Sequence, residues 1–258
     1  MKFLFTGAGS ILAVALADSL VAHGHQVRLI GRSSDPAFTL ENPQTSLKHL
    51  LNQNDILVHF AHSFNKQIYP DINESSARHI IRMCDESKIK KCVYISSDSA
   101  SKISKSHYGQ SKYRTEQVFL KSKKSIVLRV GVITDQNIPS PFTQLIEFTR
   151  KTGFLIFPEI HKQRFTTISV EELAKNLIYA CINDFAGGPY SACSTPILKS
   201  VSEILFENGV KPRVSISLPV SAVTSLGYIG RSVGIFRREF DSAFSLITPP
   251  DESPSLGI

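Results

Sequence analysis

Lys2-Phe3-Leu4-Phe5-Thr6-Gly7-Ala8-Gly9-Ser10-Ile11-Leu12-Ala13 begins as a short apolar run, passes through a stretch of small residues and enters a helical pattern. Leu12, Leu16 and Leu20 recur at helical spacing, so an apolar stripe follows the small residues. Gly24 ends that pattern, and His25-Gln26-Val27-Arg28-Leu29-Ile30 reads as a second strand closed by Gly31. Strand, turn, helix and strand are therefore complete within the first 31 residues.

The same rhythm continues outward. Asp55-Ile56-Leu57-Val58-His59-Phe60 is strand-like, Ile72 to Ser87 is helical, and Cys92-Val93-Tyr94-Ile95-Ser96 is a further strand. A helical segment around Tyr108 to Leu120 and a strand Ser125-Ile126-Val127-Leu128-Arg129-Val130 follow. Strands alternating with helices of this length predict an α/β fold, a doubly wound parallel sheet with helices on both faces. Ligands of such sheets bind at the carboxyl ends of the strands.

From about Thr134 the alternation loosens, and Pro139, Pro141, Pro158, Pro189, Pro196, Pro212 and Pro219 punctuate shorter elements. Residues 1–133 are accordingly expected to form the sheet domain, with some later elements returning to it. Residues 134–248 are expected to form a smaller C-terminal lobe with a helix at Val170 to Asn183. Residues 249–258, rich in proline and polar side chains, are expected not to pack. Within the lobe, Pro219 to Phe236 with Arg231, Arg237 and Arg238 nearby is open to two readings, an element covering the site or a membrane-surface helix. Gly227, Gly230 and Gly234 interrupt it and favour the first.

Composition removes several classes. Of 258 residues, 42% are apolar and 20% charged, which suits a globular enzyme and excludes a disordered or fibrous chain. The formal charge of +7 favours acidic ligands such as phosphates. The basic residues are spread along the chain rather than gathered in a stripe, which argues against nucleic acid. Cys84, Cys92, Cys181 and Cys193 form no Cys-x-x-Cys pair and no zinc-ligand spacing, so neither a disulfide framework nor a metal site is expected. With no secretory signal and no apolar run long enough for a membrane span, a cytoplasmic location is expected.

Gly7, Gly9, Ser10 and Ile11 lie where a parallel sheet places its phosphate-binding turn. Small residues there let the backbone approach a pyrophosphate, and the helix start supplies N–H donors and a positive dipole end. The same residues also suit a plain strand-to-helix turn. At the end of the second strand the sequence is Gly31-Arg32-Ser33, with no carboxylate to accept the adenosine ribose hydroxyls as NAD-selective sites do. Arg32 suits a 2′-phosphate and hence NADP, or is an exposed loop residue.

Tyr108-Gly109-Gln110-Ser111-Lys112 places a tyrosine and a lysine four residues apart on one helix face. An ammonium beside a phenol favours the phenolate, and it can also hold a ribose hydroxyl. The strand Val93-Tyr94-Ile95 runs into Ser96-Ser97-Asp98-Ser99, which sets hydroxyls at the carboxyl edge just before that helix. A serine there can bond a substrate oxygen while tyrosine moves a proton and a nicotinamide moves hydride. His62 follows a neighbouring strand and reads as a strand-end cap or a substrate contact, Asp98 as a turn former or a proton-transfer group, and His59 as a buried core histidine.

With these residues in this order the chain resembles the extended short-chain dehydrogenase/reductases of the NAD-dependent epimerase/dehydratase group, which contains UDP-glucose 4-epimerases and keto-sugar reductases. The matching stretches are Thr6-Gly7-Ala8, Asp55 to Ala61, Val93 to Ser97, Tyr108 to Lys112, Val127 to Val132 and Ile168 to Ala174. The resemblance implies a Rossmann-like fold with the C-terminal lobe binding substrate. It assigns Ser97, Tyr108 and Lys112 as the catalytic set, with Tyr108 and Lys112 also on the cofactor. It places Gly7, Ser10 and Ile11 at the pyrophosphate, Arg32 at the adenosine ribose and Phe60 with Ala61 on the cofactor-lining strand end. It further puts Arg164 on a substrate diphosphate and allows a homodimer through a four-helix contact; from their own positions at strand ends, Asp98 and His62 are expected to join Ser97 and Arg164 as substrate contacts.

The departures narrow the chemistry. The family's Gly-x-x-Gly-x-x-Gly turn is Gly7-x-x-Ser10-x-x-Ala13 here, and its Asp-Glu dehydratase pair is Asp98-Ser99, which disfavours water elimination. Val130 replaces a frequent proline, and the second lobe is short for an epimerase. The expected activity is an NADP-dependent reductase or epimerase, NAD being admitted, that acts on a nucleotide-activated sugar, most readily as a keto-sugar reductase in polysaccharide synthesis. A net reductase suits NADP, whereas an epimerase regenerates its cofactor and more often uses NAD. Two alternatives stand: reduction of a non-sugar carbonyl, and dinucleotide sensing without turnover.

Overall fold

The structure is a computed structural model that describes residues 1–64, 71–104, 106–158, 164–185, 188–195, 198–219 and 254–256. In chain order the first part reads β1 (Lys2–Thr6), α1 (Ile11–Ala22), β2 (Gln26–Ile30), α2 (Gln44–Leu50), β3 (Ile56–His59), α3 (Asp71–Glu86), β4 (Lys91–Ser97), α4 (His107–Phe119) and β5 (Ser125–Val130). The second part is β6 (Val132–Ile133), α5 (Pro141–Thr152), β7 (Phe154–Pro158), β8 (Thr167–Ile168), α6 (Val170–Ile182), β9 (Tyr190–Ser191), α7 (Val201–Glu207) and β10 (Val214–Leu218).

A six-stranded sheet has the order β2-β1-β3-β4-β5-β9, and every pairing in it is parallel. Alternation along each strand divides the apolar residues between two cores. Phe3, Phe5, Val58, Val93, Ile95 and Leu128 point to one face and pack with Leu16 and Leu20 of α1 and Leu173 and Leu177 of α6. Leu4, Leu57, Cys92, Tyr94 and Val127 point to the other and pack with Leu47 of α2, Ile80 of α3 and Phe119 of α4. Each such burial contributes roughly 1.5–3 kcal/mol. The chain reverses direction of winding between β1 and β3, and ligands of such sheets bind outside the carboxyl ends of the strands at that switch point.

The smaller lobe has its own core of Phe142, Ile146, Leu155, Phe157, Phe165, Val201, Ile204 and Leu205 beneath the two-stranded parallel sheet β7–β10. Two readings of the sequence need correcting. Helix α6, assigned to the lobe, packs in the main core against α1, because its buried stripe of Leu173, Ala174, Leu177 and Ala180 faces the sheet. The tail expected not to pack does so at 254–256: the Ser191 amide donates to the Pro254 carbonyl at 2.9 Å, and Leu256 is buried in the main core. Proline keeps its carbonyl acceptor, and one apolar residue is enough to anchor so short a segment. Pro219 is described, but the candidate covering element at 220–236 lies outside the described residues. Among the described residues no helix is long and apolar enough to cross a membrane.

Candidate active site

The turn after β1 is built by contacts at its ends. Gly7 has φ +91°, and both its amide and that of Ala8 donate to the Ile30 carbonyl, at 2.9 and 3.1 Å. A Cβ on Gly7 would stand 2.8 Å from the Ala61 amide nitrogen, so the ends of β1 and β3 touch where Phe60 and Ala61 lie. Only glycine meets both demands. Ser10 occupies a place where a glycine was expected, and it caps α1: its Oγ accepts from the Ala13 amide at 3.3 Å. Ala13, at the next glycine place, is fully buried, so its methyl group is absorbed by the core. Gly9 is exposed with open space around it, and the first-turn amides at Ile11 and Leu12 belong to the group that a helix cannot satisfy itself.

Arg32 is exposed one residue past Gly31. A Cβ on Gly31 would lie 3.1 Å from the Ala8 methyl, so Arg32 leaves the sheet at the same edge as the turn. The residues present therefore fit a dinucleotide: a cradle that larger side chains would fill, donors at a helix start, and a guanidinium at the far corner.

The catalytic candidates converge across β4 and α4. Ser106 caps α4 by accepting from the Gly109 amide at 2.9 Å, and Gly109 lies against the Ser99 carbonyl and Ser104. This seats Tyr108 next to Ser97, to which it is hydrogen bonded. Ser97 Oγ also accepts from the Ser99 amide at 3.2 Å and lies 2.9 Å from Ser99 Oγ. Lys112 Nζ donates to the Ile95 carbonyl at 2.8 Å and lies 5.8 Å from the Tyr108 ring centroid. Ser97, Tyr108 and Lys112 are thus brought together.

Their electrostatics correct one expectation. The lysine was expected to favour the phenolate, yet burial pushes the Tyr108 phenol up to about 12, against the pull of the Ser97 hydrogen bond. Burial also lowers Lys112 to about 7, with Glu116 opposing. Lys112 is buried and Tyr108 half-buried, and the loss of hydration dominates both shifts. Because the unfolded chain keeps the Lys112 proton up to the ordinary value of 10.5, stability carries the full cost below pH 7 and recovers as pH rises from there to 10.5. Lys112→Met is expected to stabilise the free protein at about pH 6 and to show a smaller gain at about pH 10. Urea denaturation at the two values checks this, and an equal effect at both would contradict it.

His62, Phe64 and Tyr108 form an aromatic triangle. Phe64 stacks on Tyr108 with centroids 5.7 Å apart and planes 9° from parallel, and His62 meets Tyr108 edge-on at 5.2 Å. Burial holds His62 well below the ordinary histidine range. His59 sits behind them: it is 2.6 Å from Thr6 Oγ1, stacks on Tyr94 and Phe119, and is pushed down to about 3 by burial. Asp98 is hydrogen bonded to Thr166 and raised to about 6, chiefly by burial. Arg164 is exposed in the smaller lobe, where it pairs with Glu203 at 3.1 Å and donates to the Leu198 carbonyl at 3.4 Å.

Asn73 was not singled out in the sequence. Its side chain accepts from the Ser63 amide at 2.8 Å, donates to the Ser63 carbonyl at 3.1 Å and donates to Ser111 Oγ at 3.3 Å. It ties the segment after β3 to the catalytic helix. The only available signal was a polar residue within an otherwise apolar-facing helix pattern.

No family model matches the chain, and no curated protein matches it in sequence. Solved structures do. A UDP-N-acetylglucosamine 4-epimerase from Bacillus cereus is 21% identical, with 85% of each chain covered and a TM-score of 0.65. MoeE5 in complex with UDP-glucose and NAD is 17% identical over 88% of this chain and 92% of that one, with a TM-score of 0.65. A short-chain dehydrogenase/reductase superfamily protein from Agrobacterium tumefaciens with bound NAD is 13% identical over 96% and 97%, with a TM-score of 0.64. The likeness is one of fold: this chain has the Rossmann-like, doubly wound architecture of those structures.

Proposed function

We propose that the chain is a dinucleotide-dependent oxidoreductase acting on a nucleotide-activated sugar, and in particular a keto-sugar reductase that prefers NADP. The observation that carries this reading is the convergence of Ser97, Tyr108 and Lys112 at the carboxyl edge of the sheet, beside a turn able to receive a pyrophosphate. The names of the solved structures, a UDP-sugar epimerase and a protein in complex with UDP-glucose and NAD, support the substrate class.

Gly7, Gly9, Ser10 and Ile11 would hold the pyrophosphate, Arg32 the adenosine end, Phe60 and Ala61 the wall, and Lys112 the nicotinamide ribose. Bound nicotinamide dinucleotide supplies the hydride. Ser97 Oγ orients the carbonyl oxygen. Tyr108, a neutral phenol at pH 7 because burial raises it to about 12, delivers its proton to the oxygen as negative charge develops there. A phenol held in its protonated form suits reduction. Asp98 and His62 line the approach, and a substrate diphosphate would compete with Glu203 for Arg164.

A second reading, reduction of a non-sugar carbonyl, draws on two observations: Phe64, 60% exposed, presents an apolar ring beside Tyr108, and Arg164 is already paired. Both readings share the cofactor test. NADPH is expected to bind more tightly than NADH, by at least about tenfold, and Arg32→Ala to abolish the preference by removing a charge-assisted phosphate contact. Fluorescence titration of both cofactors measures it. Equal binding insensitive to Arg32 would overturn NADP selectivity and move epimerisation ahead, whereas binding of neither would overturn the oxidoreductase itself.

A further inference from the structure

One helical turn beyond Lys112, Glu116 is buried at 0% side-chain exposure, and Arg129 of β5 meets it at 4%. Arg129 Nε donates to Oε1 at 2.9 Å and Nη2 donates to Oε2 at 2.8 Å. A buried ion pair recovers its desolvation penalty poorly, and well-packed apolar residues would serve a core as well or better. Stability is therefore a weak reason for this pair to stand where it does.

Its neighbours supply a better one. Tyr108, Lys112 and Glu116 are spaced by four along α4 and share one face. Lys112 is itself buried; it donates to the Ile95 carbonyl and lies over the rings of Tyr94 and Tyr108, 4.8 and 5.8 Å from their centroids. None of these carries a formal negative charge. The imidazoles of His59 on β3 and His62 after it are held neutral by burial. Tyr108, on the same helix face, is a neutral phenol. Asp98, after β4, interacts with Thr166, Arg129 and Glu116. Among the described residues, the charge that acts on Lys112 is the Glu116 carboxylate, one turn along the same helix. Both oxygens of that carboxylate are taken by Arg129, so it acts on the ammonium through space.

We propose that Glu116, fixed by Arg129, is a positioning residue that keeps the Lys112 ammonium charged beside Tyr108. The catalytic consequence rests on the oxidoreductase reading; the charge coupling does not. Burial lowers Lys112 and the Glu116 carboxylate opposes it, so loss of that carboxylate leaves the burial effect unopposed. The ammonium would then lose its proton at a lower pH, and with it the charge that holds a ribose hydroxyl and steadies the tyrosine as its proton leaves.

The test is a titration of the lysine Nζ resonances by NMR on the free chain, with Lys112 assigned through Lys112→Met. Wild type is compared with Glu116→Gln and with Glu116→Gln/Arg129→Met, which leaves no unpaired guanidinium should the single variant fail to fold. In each folded variant lacking the carboxylate, the Lys112 midpoint is expected to fall by about one pH unit or more while exposed lysines do not move. An unchanged midpoint overturns the proposal. If turnover is in hand, the alkaline limb of the rate profile should move down by the same amount, with kcat affected more than KM and Glu116→Asp restoring part of the loss. Because the lysine is read without cofactor, a chain that binds neither dinucleotide sinks the oxidoreductase reading and leaves the coupling to the NMR result.

Discussion

Tyr108→Phe is expected to lower turnover of the carbonyl substrate by about 10²–10⁴-fold, the usual contribution of one positioned proton donor. Dinucleotide affinity should change by less than about threefold, because the ring, its stack on Phe64 and the Lys112 ammonium all remain. Loss of the hydroxyl removes one hydrogen bond to Ser97 from a half-buried side chain, so stability should shift by no more than about 1 kcal/mol in either direction. Steady-state rates, a binding titration and a melting curve separate the three effects. Turnover within about fivefold of wild type would mean that another group supplies the proton. Asp98, raised to about 6, would be the first to examine.

How much of this was legible in the sequence depended on whether each feature is periodic. The strands β1 to β5 are apolar or alternating runs and the longer helices between them carry apolar stripes, so the order of those elements could be read before any coordinates, as could the tyrosine-lysine pair on one face of α4. Contacts between elements left no such trace. Asn73 clamps Ser63, and Glu116 meets Arg129, through side chains on different elements, and a single asparagine or glutamate in a helix looks the same in sequence whether it faces water or a partner. Helix α2, seven residues long, was too short to show a period. The sign of the Tyr108 shift was misread for a related reason: spacing gives the distance to a charge but not the depth of burial, and burial decided it. After β5, β6 and β8 have two residues each, and strands that short have no alternation to detect.

Gly109→Ala should act as severely as loss of the tyrosine itself, by a different route. A Cβ at this position would fall well inside contact distance of the Ser104 hydroxyl and the Ser99 carbonyl. The hydroxyl can rotate away. The carbonyl belongs to the backbone of the turn in which the Ala100 amide donates to the Ser97 carbonyl at 2.9 Å, so the accommodation must come from α4. A shift of that helix carries Tyr108, one residue back, away from Ser97, and Lys112, three residues on, away from the Ile95 carbonyl. Overpacking of this kind costs about 1–3 kcal/mol, and a displacement of about 1 Å at reacting groups is enough to lower the rate by about 10². Gly9→Ala is the control for stability, since nothing lies within 4 Å of a Cβ there and the melting temperature should hardly move. If Gly109→Ala melted like Gly9→Ala and kept full activity, α4 would have room to spare against the β4 loop. The close seating that brings Ser97, Tyr108 and Lys112 together would then not be what fixes the geometry of the site.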